Sequence, residues 1–153
     1  MTTPSLESIY KFLPISDTLA TAGQPTTEQF DAIRQAGYTV VVNLALPTSD
    51  NALPHEQELV ESHGMTYIHV PVLWENPTLN DLQQFFATLE SNLDKQVFVH
   101  CAANMRVSAF VYLYRLLRQG VAEDQAQHTL NQIWEPNEIW QRFIDQARSI
   151  ASE

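Results

Sequence analysis

Three short runs limit most strongly what this chain can fold into: "YTVVVNLAL" at 38–46, "MTYIHVPV" at 65–72 and "QVFVH" at 96–100. Their apolar character is nearly continuous rather than alternating, the mark of strands covered on both faces. Between them lie segments of helical period, "TTEQFDAIRQAG", "HEQELVESHG", "LNDLQQFFATLESN" and "MRVSAFVYLYRLLRQG". Such regular alternation predicts an α/β fold, a central, largely parallel sheet flanked by helices. The 153 residues suffice for a single domain over 1–153.

Local signals place the boundaries. Thr26 stands three residues before Gln29, a capping-box spacing, and Gly37 supplies a stop. The second helix is expected to run through about Ser62, with Gly64 behind it. Thr78 and Asp81 repeat the capping-box spacing before the helix that aligns Leu82, Phe85, Phe86 and Leu89, and Gly120 ends the next one. Two extra C-terminal helices are expected in "AEDQAQHTLNQIW" and "PNEIWQRFIDQARSIA". The opening "YKFLPISDTLATAGQP" reads as one or two short strands and a turn.

Charge restricts the partners. Eight basic residues against 18 acidic ones leave a net −10, a field that repels duplex nucleic acid and anionic lipid, so neither nucleic acid nor membrane is an expected partner. An anionic substrate needs a local positive site, which makes the position of every Arg informative. Cys101 is the only cysteine, so no intrachain disulfide can form, and the start "MTTPSLESIYKFLP" lacks the basic and apolar regions of a secretion signal. A cytoplasmic location is the expectation. None of His55, His63, His69 and His128 has a partner at metal-ligand spacing, so neither metal nor cofactor is expected; His69 reads as a satisfied polar group near a sheet edge. The acidic stretch "LPHEQELVE" and the segment "EDQAQ" read as solvated helix faces.

Chemistry concentrates in "HCAANMR". A thiol between a strand and a helix N-terminus meets unsatisfied amides and the positive end of the helix dipole, which favour the thiolate. The same amides can hold a tetrahedral oxyanion. Arg106 adds a planar fork for two oxygens, and Asn104 tolerates the positive φ that an inward-curling loop requires. Ala102, Ala103 and Met105 carry no polar side-chain atoms, so backbone would do the binding. Ser108, one turn into the helix, is placed to reach back toward sulfur. Against all this stands the plain alternative that a lone cysteine simply packs.

"VHCAANMR" with its following apolar helix resembles the signature of cysteine-dependent protein tyrosine and dual-specificity phosphatases. The commonest signature has five residues between Cys and Arg and a Ser or Thr after Arg; here there are four, and Val107 follows. The shorter loop, "LATAGQPTTEQFDAIRQAGYTVVVNL" and "MTYIHVPV" are similar to a bacterial branch of that superfamily, found alone or attached to β-lactamase-like hydrolases. That branch usually has Gly at the position of Asn104 and a basic residue after the second strand, where this chain has "NLALP".

The resemblance implies a phosphatase-like fold and a phosphocysteine on Cys101, with His100 orienting the loop. It also implies a carboxyl that protonates the leaving oxygen and then activates water. Glu75 is the first candidate; Asp81 is the second, with helix capping as its structural alternative. Trp74, beside Glu75, is the tryptophan best placed to line a pocket. The implied partner is a phosphorylated protein or small molecule, and phosphate or sulfate can fill the loop. Two other functions compete: a rhodanese-like sulfurtransferase, disfavoured by His100 and the acidic loop before "FFATLE", and a non-catalytic phosphate-binding module.

Overall fold

The structure, a computed structural model, describes residues 6–151. Residues 1–5, part of the opening read above for a secretion signal, and residues 152–153 lie outside the described residues.

Five four-residue strands form the sheet: β1 (Leu13–Ser16), β2 (Leu19–Ala22), β3 (Val40–Asn43), β4 (Thr66–His69) and β5 (Val97–His100). Their spatial order is β1-β2-β5-β3-β4. Strands β2, β5, β3 and β4 are mutually parallel, and β1 returns antiparallel beside β2 as the second arm of the opening hairpin. The three inner strands are buried along their whole length, as continuous apolar runs require. β4 is an edge strand with mixed exposure, and His69 on it bonds through Nε2 to the Ala45 carbonyl at 2.6 Å.

Alternate side chains feed two cores. Val41, Phe98, Ala20 and Ala22 pack under α1 (Gln29–Gln35) and α2 (Glu56–Ser62), against Phe30, Ile33 and Val60. Val40, Val42, Val97 and Val99 face the opposite side, where α3 (Leu79–Glu90), α4 (Met105–Arg118), α5 (Glu123–Asn131) and α6 (Glu138–Ala151) collect. The result is the expected three-layer arrangement, with α4 buried from Arg106 to Arg115 at its centre.

The helix ends follow the sequence signals with one shift. The Thr78–Asp81 box closes in both directions at the start of α3. Gln29 reaches back to the Thr26 amide at 2.9 Å, yet α1 begins only at Gln29, because residues 26–28 form a separate turn. Among the described residues no helix is long and apolar enough to cross a membrane.

Parallel register sets the site. Ala22, His100, Asn43 and His69 stand side by side at the strands' carboxyl ends, so the segments leaving β2, β5, β3 and β4 emerge on one edge.

Candidate active site

Cys101 leaves β5 directly and is 1% exposed, its amide donating to the Ala22 carbonyl at 3.4 Å. Four residues later the chain is in α4. Asn104 makes the turn at φ 63° and ψ 3°, the left-handed conformation its sequence position predicts, and its carbonyl accepts the first helical bond from Ser108 at 2.9 Å.

The Asn104 side chain has a second task. Its Nδ2 donates to the Lys11 carbonyl at 2.9 Å and to Thr21 Oγ1 at 3.0 Å, tying the loop to the β1–β2 hairpin, while the buried Oδ1 has no partner among the described residues. Glycine could make the turn but not this tie.

Two of the loop carbonyls have fixed partners. The Ala102 carbonyl accepts from the Gln24 amide at 3.2 Å and from Asn51 Nδ2 at 3.0 Å. The Cys101 carbonyl meets His100 Nδ1 at 3.4 Å. Because a trans peptide holds its N–H opposite its carbonyl, these contacts direct the amides of Ala102 and Ala103 away from Gln24, Asn51 and His100. Gly23 makes the close approach possible: a Cβ there would lie 2.8 Å from the Ala102 carbonyl oxygen.

Behind the loop lies a buried polar chain that the sequence did not reveal. His100 Nε2 contacts Glu56 Oε2 at 2.7 Å, and Glu56 Oε1 accepts from Gln24 Nε2 at 2.8 Å. Burial pushes the Glu56 carboxyl up, but the His100 hydrogen bond and charge and the Gln24 amide outweigh it, leaving the pKa below its ordinary value. Glu56 is therefore a correction to the reading of "LPHEQELVE" as a wholly solvated face. Its position 44 residues from His100 gives no local signal of the pairing.

Arg106 is 7% exposed and donates from Nη1 to the Val72 carbonyl at 2.9 Å. Among the described residues no carboxylate forms an ion pair with it. Ser108 differs from expectation: its hydroxyl donates to the Met105 carbonyl at 2.9 Å and accepts from Trp134 Nε1 at 3.1 Å, so its proton is engaged away from sulfur.

Ala102 and Ala103 form part of an open cleft of about 540 Å³ that also involves Trp74, Glu75, Tyr10, Asp50 and Asn51. Trp74 is fixed there by Trp134 and Trp140, with ring centroids at 5.4 and 5.9 Å, and its carbonyl accepts from Trp140 Nε1 at 2.9 Å. Glu75 is exposed at the cleft. Asp81 does not line it; its carboxylate accepts from the Thr78 amide at 3.3 Å in the α3 cap. Asp50 is a cleft carboxyl that sequence reasoning missed. Its only signal was the turn cluster "TSDN" just past the carboxyl end of β3. No cluster of His, Cys, Asp or Glu among the described residues could hold a metal ion.

The chain resembles known proteins over most of its length. The family model described as "DSP-PTPase phosphatase fused to NAD+ Kinase" matches residues 15–142. A candidate phosphatase (DUF442) from Shewanella putrefaciens CN-32 superposes with a TM-score of 0.86 at 35% identity, covering 95% of this chain and 96% of that one. TpbA from P. aeruginosa, in a cysteine-to-serine form bound to phosphotyrosine, shares the fold at a TM-score of 0.71 and 14% identity, over 94% of this chain and 91% of its own. A β-lactamase hydrolase-like protein of Xylella fastidiosa is 27% identical over 120 residues. That match takes in 76% of this chain, which spans only 28% of the relative's length.

Proposed function

The chain belongs to the family of DSP-PTPase phosphatases fused to NAD+ kinase, and from that membership we propose that it is a cysteine-dependent phosphatase acting on phosphomonoesters. One observation carries the reading: Cys101 and an Arg106 that has no acidic partner among the described residues bracket a loop whose Cys101 and Ala102 carbonyls are held by His100, Gln24 and Asn51. A phosphoryl group bound there would meet the amides of Ala102, Ala103, Asn104 and Met105 and the Arg106 fork, with Trp74 beside it and Ser108 supporting the helix turn.

The Cys101 thiolate attacks phosphorus, forming an S–P bond as the ester P–O bond breaks. The amides and Arg106 stabilise the charge on the equatorial oxygens. Glu75 gives its proton to the leaving oxygen, then takes one from the water that cleaves the S–P bond and frees orthophosphate. Asp50 is the other carboxyl at the cleft. Asp81 would have to leave its capping box to serve. His100, backed by Glu56, holds the loop rather than carrying a proton. A cytoplasmic setting, which keeps thiols reduced, suits this nucleophile. The substrate is a phosphorylated protein or small molecule, and phosphate or sulfate is expected to compete for the loop.

Hydrolysis of an aryl phosphate tests the proposal. Cys101→Ser should abolish turnover yet still bind vanadate, and Glu75→Gln should lower kcat by about a hundredfold or more. If the wild-type protein releases no phosphate and binds no oxyanion, the reading fails. Binding without turnover would instead favour the non-catalytic phosphate-binding module.

A further inference from the structure

Cations are scarce in this chain, with six arginines and two lysines in all. Arg118, Arg142 and Arg148 are paired with Glu90, Glu138 and Glu123, and Arg34 donates to the His63 carbonyl. Two arginines remain that are buried and, among the described residues, have no carboxylate partner: Arg106 in the cysteine loop and Arg115. Burying a guanidinium without a counter-charge is costly, so a chain with ten excess negative charges that does it twice invites the same question at both places.

Arg115 is 8% exposed, and its side chain makes a neutral bond, Nη1 to Thr129 Oγ1 at 3.0 Å. Burial holds its pKa below the ordinary arginine value. Arg115 lines a cavity of about 170 Å³ between the amino ends of β2 and β5, the end of α3 and the last turns of α4, and with Thr129 it also lines a small neighbouring void. Lys95 stands at the same cavity, and among the described residues no carboxylate lines it. Leu19, Leu89 and Val97 supply apolar wall, Gln119 supplies an amide, and Asn92 accepts from Lys95 Nζ at 3.3 Å while donating to the Thr88 carbonyl at 2.7 Å. The Arg115 carbonyl, which would repel an anion, is taken by the amides of Gln119 and Val121 at 3.3 and 3.0 Å.

The cavity is remote from Cys101. It opens at the opposite end of β5, and Arg115 lies nine positions beyond Arg106, about 13 Å along the axis of α4. Its volume is close to that of an engineered cavity of about 150 Å³ that accepts benzene. A ring-sized apolar body therefore fits, and one guanidinium with a nearby ammonium matches one negative charge.

We propose that this cavity is a second ligand site, which takes a compact monocarboxylate with an apolar body, its carboxylate on Arg115 and Lys95. The site stands independently of the phosphatase reading. Calorimetric titration with benzoate, with benzamide as the uncharged isostere, tests it. Benzoate should bind one per chain and benzamide at least about tenfold more weakly, the worth of a charge-assisted bond. Arg115→Gln should lose benzoate by a similar factor, Lys95→Glu should weaken it, and Arg106→Gln should leave it unchanged. Lys95 is exposed, so Lys95→Glu remains informative if Arg115→Gln fails to fold. The proposal is overturned if benzoate does not bind at millimolar concentration or benzamide binds equally well. It is also overturned if Lys95→Glu has no effect, or if Arg106→Gln abolishes binding.

Discussion

At the scale of single residues, Asn104 combines two demands that are usually met separately. Its backbone sits at φ 63°, and its amide bridges to Lys11 and Thr21. Asn104→Gly keeps the turn and loses the bridge; Asn104→Ala loses the bridge and adds about 1–2 kcal/mol of left-handed strain. Urea denaturation should therefore rank wild type above the Gly variant and Gly above Ala, and equal stability of the two variants would contradict the role given to φ. Glu56 gives a pH prediction. Its folded pKa lies below the unfolded one, so its stabilisation is present above the ordinary glutamate range and disappears as pH falls through the folded value. Glu56→Gln should cost about 1.5–3 kcal/mol at neutral pH. That difference should shrink on acidification. A constant difference across the acid range would remove the charge from the explanation.

Among the elements, those with a strong local pattern were legible in advance. The β-branched run of β3, the full capping box of α3 and the glycine after α4 act within a few positions, so periodicity and spacing reach them. The brace around the cysteine loop was not legible, because its bonds join distant segments: Asn104 to Thr21 across 83 positions and Gln24 to Glu56 across 32. Glu56 looked like one more acid on a polar helix face, and only the packing of α2 beside β4, which carries it to His100 at the end of β5, buries it. The C-terminal helices show the same limit. α6 was expected as an addition to the fold, whereas its Trp140, fully buried, also bonds the carbonyl of Trp74 at the cleft. Trp140→Phe removes that bond, worth about 1 kcal/mol. Aryl phosphate kinetics should show kcat reduced roughly fivefold with little change in the binding of vanadate. An equal loss in both would place Trp140 in loop binding rather than in holding the Glu75 segment.

For the whole molecule, net charge and site charge oppose each other. A surface at −10 repels a phosphorylated substrate, and Arg106 attracts it only at short range. Raising ionic strength from about 0.01 to 0.15 M shortens the screening length from about 30 to 8 Å. The value of kcat/KM should therefore rise over that range, and a fall would show that attraction near the loop dominates encounter. The parallel register explains why four loops converge on one edge, and the fold alone would allow other chemistries there. The central claim is narrower: Cys101 carries the phosphoryl group. Rapid mixing with excess aryl phosphate, acid quench and peptide mass mapping tests it most directly. The expected result is a burst of product equal to the enzyme present, with phosphate on the peptide containing Cys101. Continued turnover by Cys101→Ser at the wild-type rate, with Cys101 never phosphorylated in the unaltered protein, would contradict it.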